Sequence, residues 1–268
     1  MAMKNLKFIF AGLGVAAAAL AGIVFANDEA RERPDAEALL KACREGLPLN
    51  QVTLAGRLFH GKPRGFGKTD KFALSIDWSA DPAVAVCVLN DAKGKLLERV
   101  EMTRPRGGDA VIRRFSGSPL KEQEPPSLGS RVAETDLLWL DLTMDFLWWP
   151  AAVYDNNPET NRKVLGRACE VILASPPKPI PGLSAVRIWI DKQTGFLMKA
   201  EKLNLAGEPV RYFWVQRVKK FDNDVWMIRE IKAQARGSMY QTQLIVDTLN
   251  NEALGDKEDA FDDGGDSE

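Results

Sequence analysis

The residues with the chemistry for catalysis or metal binding are few and scattered. His60 is the only histidine, which excludes a histidine-rich metal site, and no Gly-x-Ser-x-Gly elbow supplies a nucleophile for it. Asp136, Asp141 and Asp145 resemble the paired acids of glycoside hydrolysis or metal binding, since a four-residue spacing sets two carboxylates side by side on a helix. Charge complementarity at a helix end and solvation explain such acids more simply. We therefore expect a solvated polar stripe, an ordinary surface histidine, no metal, no cofactor and no enzyme.

A glycine-rich stretch, HGKPRGFGKTD at 60–70, has only a superficial likeness to a phosphate-binding loop. The pattern of such loops requires glycine where this chain has Lys62. The stretch also joins two predicted strands instead of opening a helix. We expect a surface hairpin loop there and no nucleotide.

The cysteine count gives a weak indication only. Cys43, Cys87 and Cys169 are odd in number and far apart, so they form neither a zinc pattern nor a dense disulfide framework. Two alternatives stay open: one pair bridges in an oxidising compartment, or all three are buried thiols.

The two ends of the chain differ in composition from the rest. Lys4 and Lys7 precede about nineteen apolar residues that end at Ala26, which is typical of a signal peptide at 1–26; an uncleaved membrane anchor is the alternative. Residues 255–268 form an acidic C-terminal tail. One exported domain at 27–254 remains, and we expect it in the periplasm. The chain without the signal peptide is slightly acidic, which argues against nucleic acid as a partner.

Alternation of apolar and polar side chains predicts a mainly β domain. KFALSIDW at 71–78 has this period, as do further runs of the same kind before and after it. Their connections are too short for crossover helices, so neighbouring strands must be antiparallel. We predict a short helix at 34–46, then about eleven strands interrupted by a Pro-, Gly- and Ser-rich loop at 116–130. A sheet of that size must close into a barrel or be covered.

The segment TDLLWLDLTMDFLWWPAAVY at 135–154 holds three of the seven tryptophans. It predicts a helix that is capped by Thr135 or Asp136, is apolar nearly all round, and ends at Pro150. A helix of this kind must be covered on more than one side. A curved sheet around it would leave an apolar space between the two.

Four stretches carry a resemblance to a known family. "ETDLLWLDL", "VLGRACEVI", "RIWIDKQTGFLMKAEKLNLAGEPVRYFWV" and "DNDVWMIREIKAQ" with "YQTQLIVDTLN" occur in the order seen in the LolA/LolB-like periplasmic lipoprotein carriers, which this chain resembles over nearly all of 27–254. The resemblance implies a curved, incomplete antiparallel barrel of about eleven strands, covered by a few helices, with an apolar cavity. It also implies an activity, the sheltering of lipoprotein acyl chains during outer-membrane lipoprotein sorting.

The predicted lipid-binding residues are apolar side chains of the strands and of the tryptophan-rich segment, with methionines as adaptable members. They are Leu74, Ile76, Trp78, Leu138, Phe146, Trp148, Trp149, Met198, Trp214 and Met227. The alternative for each is ordinary core packing. The expected partners are lipoprotein acyl chains or other lipid, with an inner-membrane donor and an outer-membrane acceptor protein. The rival function is a protein-interaction or sensor module on the same scaffold.

Overall fold

The computed structural model describes residues 33–46, 52–105, 108–221 and 226–250. The predicted signal peptide at 1–26 and the acidic tail at 255–268 lie outside the described residues. No helix within the described ranges has the length and apolar character needed to cross a bilayer.

The described chain is mainly strand. Helix α1 spans Ala36–Glu45, helix α2 spans Trp139–Thr143, and a 3-10 helix spans Asp145–Trp148. The strands are β1 Val52–Gly61, β2 Gly67–Asp77, β3 Ala83–Asn90, β4 Leu96–Arg104, β5 Val111–Ser116, β6 Lys121–Gln123, β7 Ala151–Tyr154, β8 Lys163–Val164, β9 Arg167–Ser175, β10 Ala185–Asp191, β11 Leu197–Leu203, β12 Pro209–Lys220, β13 Trp226–Ala235 and β14 Gln241–Asn250.

All of these strands belong to one antiparallel arrangement, in the order β6-β5-β4-β3-β2-β1-β14-β13-β12-β11-β10-β9-β7, with β8 paired to β9. From β1 to β6 and from β8 to β14, each strand pairs with its neighbour in sequence, while β7 pairs with β9 and the returning β14 pairs with β1, where Arg57 lies opposite Ile245. The sheet is open, because β6 and β7 end it without pairing with each other. The predicted mainly β, incomplete barrel is confirmed. Three strands beyond the eleven are short: β6, β7 and β8. The expectation that 116–130 is entirely loop was wrong, since β6 lies within it.

Helix α1 forms where the sequence predicts it. Its buried side chains are Leu39, Leu40 and Cys43, together with Ala36, and they pack toward the 3-10 helix and β7. Each fully buried leucine contributes about 1.5–3 kcal/mol. The helix therefore closes one side of the tryptophan-rich segment.

The single long helix expected after Thr135 was wrong. The chain adopts two short helical pieces, because Met144 has a left-handed backbone with φ of 46° and ψ of 33°. The helix does not begin at a Thr135 or Asp136 cap; instead the carboxylate of Asp141 accepts a hydrogen bond of 2.9 Å from the amide of Leu138. The prediction that the segment is covered on more than one side is confirmed, since Leu140 and Phe146 have no exposed surface.

The three cysteines are free and buried. Of the two alternatives, three buried thiols is therefore the correct one. Burial raises the pKa of Cys43 and of Cys87 to about 12, and burial raises the pKa of Cys169 to about 11. We expect no reaction with a chromogenic disulfide reagent near neutral pH in the native protein, and three equivalents after unfolding in urea. Fast labelling of the native protein would contradict this packing.

The β8–β9 turn contains a strained, exposed leucine. Leu165 has φ of 51° and precedes Gly166 with φ of 79°, the backbone of a type I′ turn, which favours asparagine followed by glycine. Leu165→Asn should stabilise the protein by about 1 kcal/mol in urea unfolding. Leu205→Asn is the matched control, because Leu205 is also exposed but has no positive φ. An equal gain from both substitutions would show that lost apolar exposure, not backbone strain, is responsible.

Candidate functional site

A narrow apolar cavity lies between the concave face of the sheet and residues 137–144. Its volume is about 60 Å³. A single water needs about 10–15 Å³ on this measure, so the cavity has room for a few methylene groups. Its wall consists of Leu54, Phe72, Leu74, Ile76, Leu137, Asp141, Leu142, Met144, Phe196, Leu197, Met198, Phe213, Val215, Val218, Met227, Ile228, Ile231, Leu244 and Val246.

One side of this apolar wall holds a buried ion pair. Among the described residues of the wall, Asp141 alone carries a charge. Its carboxylate contacts the ammonium group of Lys202. Their side chains are only 2% and 1% exposed. The rings of Phe146 and Phe213 lie 5.8 Å and 5.1 Å from the same ammonium group. Burial lowers the pKa of Lys202 well below its ordinary value, and the positive charge of Arg211 lowers it further.

A wider and more polar groove, of about 850 Å³, lies on the other side of the tryptophan-rich segment. It is bordered by the β4–β5 loop, the 3-10 helix and the proline-rich loop at 176–181 between β9 and β10. Lys178 of this proline-rich loop pairs with Asp109 at 2.5 Å, which joins regions near the two ends of the open sheet. The two spaces share no wall residue.

The structure divides the predicted lipid-binding residues among three places. Leu74, Ile76, Met198 and Met227 line the apolar cavity. Trp78, Trp148 and Trp149 border the polar groove. Leu138 and Phe146 belong to the packed core, and Trp214 borders neither space. Binding of lipid by any of them stays a prediction.

The position of Trp214 follows from the register of β12. Phe213 lies opposite Ala200 and is 1% exposed, whereas Trp214 lies opposite Lys199 and is only half-buried. Side chains of consecutive residues point to opposite faces of a strand, so Phe213 and Val215 reach the cavity and Trp214 does not. Apolar residues occupy both odd and even positions of this strand, so the sequence alone does not tell which face of the strand points inward.

Two further cavity residues lie outside the predicted set, and one of them, Phe72, has a signal in the sequence. Phe72 shares the period of Leu74 and Ile76 in β2 and lines the same wall. Met144 reaches the cavity from the turn that interrupts the predicted helix. Met198 is unusual, because it sits at a bulge between β10 and β11 and also packs with Trp189 in a separate small cluster.

The expected solvated stripe of aspartates was wrong. Asp141 and Asp145 are buried, and the break at Met144 turns them toward different cations. Asp145 contacts Arg104 and also accepts a hydrogen bond of 2.9 Å from the indole nitrogen of Trp149. Both acids are therefore structural partners of buried cations.

The histidine also differs from the expectation of an ordinary surface residue. His60 is partly buried, its Nδ1 lies 2.9 Å from the hydroxyl of Thr242, and its ring stacks on Tyr240 at 5.8 Å. The carboxylate of Asp136 lies 4.0 Å from the same Nδ1. In a catalytic triad the hydroxyl and the carboxylate bind opposite ring nitrogens, so Thr242, His60 and Asp136 do not form one. Within the described residues, no group of three or more His, Cys, Asp or Glu side chains is arranged to hold a metal.

Three solved structures share this architecture at low sequence identity. A domain from Vibrio parahaemolyticus named for outer membrane lipoprotein sorting matches with a TM-score of 0.68 at 11% identity, covering 83% of this chain and 94% of its own. A DUF1329 family protein from Desulfovibrio piger gives a TM-score of 0.63 at 14% identity, covering 80% and 90%. A LolA superfamily protein from Nitrosomonas europaea gives a TM-score of 0.63 at 12% identity, covering 83% and 96%.

These matches establish the fold. The chain has a LolA-like fold, an open antiparallel sheet curved around short helices, as the sequence resemblance implies. A family model described as an uncharacterized protein matches residues 150–258. No curated protein matches the sequence.

Proposed function

We propose that this protein is a non-enzymatic binder of acyl chains in the periplasm, which carries the lipid anchors of lipoproteins during their sorting to the outer membrane. The observation that carries the proposal is the apolar cavity on the concave face of the sheet, where hydrocarbon would be covered on both sides. The fold shared with a lipoprotein-sorting domain supports it. A signal peptide at 1–26 and a lipid-binding domain at 27–254 are part of the same proposal.

The cavity must widen before it accepts an acyl chain. A volume of about 60 Å³ accommodates a few methylenes, whereas an acyl chain has roughly fifteen. Three methionines, Met144, Met198 and Met227, lie in the wall, and their unbranched side chains repack readily. We expect residues 137–144 to move away from the sheet as the chain enters.

Partial shelter suits a carrier. Each buried methylene contributes about 0.8 kcal/mol, so complete burial of an acyl chain would stabilise the complex by about 12 kcal/mol and make release slow. A cavity that opens only as far as its wall can move would bury part of the chain. Release to a site that shelters the chain better is then favourable.

The entrance to the cavity lies where β12 ends and β13 begins. Val218 lines the cavity and yet is 40% exposed, while its neighbours in the wall, Met227 and Ile228, lie on the paired strand. The cavity therefore reaches the surface beside Val218. An acyl chain entering there would lie along the inner face of β12 toward Phe213 and Val215.

Native mass spectrometry of gently purified protein tests the proposal. We expect phospholipid or lipoprotein adducts, and uptake of a fluorescent fatty acid that added lipid displaces. Consistently bare protein that takes up no fluorescent fatty acid would contradict acyl-chain binding. Capture of a stoichiometric protein partner, with no lipid in any preparation, would favour the interaction or sensor module instead.

A further inference from the structure

The polar groove is a built site that the acyl-chain proposal does not use. Its floor is Trp148, against which Trp78 packs edge to face with ring centroids 4.6 Å apart. The guanidinium carbons of Arg44 and Arg104 lie 5.7 Å and 5.5 Å from the Trp148 ring. Two cations therefore converge on one indole from helix α1 and strand β4.

The carboxylates of the groove are already engaged. Asp145 contacts Arg104, and Asp109 pairs with Lys178. Glu45 lies 3.8 Å from Lys41 on the exposed side of helix α1. Arg44 is left with a 3.3 Å hydrogen bond to a backbone carbonyl and no carboxylate among the described residues.

The polar groove has more hydrogen-bond donors than acceptors. The indole nitrogen of Trp78 and Nε of Arg104 are buried and have no acceptor within the described part of the chain. Leaving a buried donor without an acceptor costs about 1–3 kcal/mol. Together with the guanidinium of Arg44, these groups offer N–H donors from three different elements.

The two arginines also repel each other. Burial lowers the pKa of Arg104, the positive charge of Arg44 lowers it further, and Asp109 opposes both effects. Asp145 already contacts Arg104, so an anion beside Arg44 would supply the missing counter-charge and would give acceptors to Nε of Arg104 and to the indole nitrogen of Trp78.

We propose that the groove binds the phosphate group of a phosphate ester, held by Arg44, Arg104 and the indole nitrogen of Trp78. Donors that approach from three elements suit the several oxygens of a tetrahedral phosphate better than the two oxygens of a carboxylate. The proline-rich loop at 176–181 and Trp148 cover the organic part of the ligand. A phospholipid headgroup and a soluble phosphate ester share this chemistry.

Calorimetric titration with two probes tests the site. Glycerol 3-phosphate has no acyl chain, and dihexanoylphosphatidic acid below its micelle concentration presents the same group on a lipid. We expect Arg44→Met to weaken binding of both probes about tenfold or more, since a hydrogen bond to a charged group is lost, and Trp78→Phe to weaken it several-fold. Arg113→Met, at an exposed arginine of β5 outside the groove, is the control and should bind normally.

The outcomes separate the two sources and the two proposals. Equal affinity for both probes assigns the site to soluble phosphate esters, and much tighter binding of the lipid assigns it to headgroups. No binding of either probe to the wild-type protein, or binding that both groove variants retain, would overturn the proposal. Arg44→Met should take up fluorescent fatty acid normally, so failure of acyl-chain binding and failure of the phosphate site are distinguishable.

Discussion

Replacing Lys202 with methionine is expected to destabilise the protein by about 3–5 kcal/mol, because it leaves the carboxylate of Asp141 buried without a counter-charge. The two side chains are almost completely enclosed, beside Phe146 and Phe213. Water cannot solvate the remaining charge there without opening the core. Urea unfolding followed by circular dichroism measures the loss.

Two control variants separate the buried charge from other effects. Lys192→Met removes a lysine that is 48% exposed and pairs with Glu170, and should cost under about 1 kcal/mol. Lys202→Met combined with Asp141→Asn removes both charges and keeps an acceptor for the amide of Leu138, so it should recover most of the loss. A single Lys202→Met variant as stable as the wild type would contradict a buried ion pair at this position.

Filling the apolar cavity is expected to abolish most acyl-chain binding. Val215→Phe places an aromatic ring into a space of about 60 Å³ against the wall that includes Phe213. Overpacking should cost about 1–3 kcal/mol of stability. We expect the affinity for a fluorescent fatty acid to fall at least about tenfold, since the ring occupies the volume through which the wall must open.

The matched control lies on the same strand. Val210 is half-buried and is not part of the cavity wall, so Val210→Phe adds the same atoms outside the cavity. It should bind the fatty acid like the wild type. Equal loss of binding in both variants would place the acyl chain elsewhere, and unchanged binding in Val215→Phe would show that this cavity is not the site.

Local periodicity was enough to predict most of the sheet. The alternation in KFALSIDW placed Phe72, Leu74 and Ile76 on one face, and all three line the cavity. Helix α1 was predictable because its apolar stripe and its proline and glycine boundaries agree. Strands β6 and β8 have three and two residues, too few for any period to appear.

The tryptophan-rich segment shows where sequence reasoning fails. Its burial was predictable from its composition, but its shape depends on cations that are distant in the chain. Asp141 pairs with Lys202 and Asp145 with Arg104, on either side of the break at Met144. Beyond this break, Trp148 and Trp149 lie against a polar groove instead of the cavity. No local pattern marks such pairings.

Photo-crosslinking tests the central claim most directly, using a fatty acid with a diazirine at its terminal carbon. If the acyl chain enters beside Val218 and lies along β12, the label should appear on peptides from the cavity wall, above all those that contain Met144, Phe213 or Val215. Unlabelled fatty acid should suppress this labelling, and Val215→Phe should remove it. Labelling confined to exposed loops or to the proline-rich loop at 176–181 would contradict a cavity that opens between the sheet and residues 137–144.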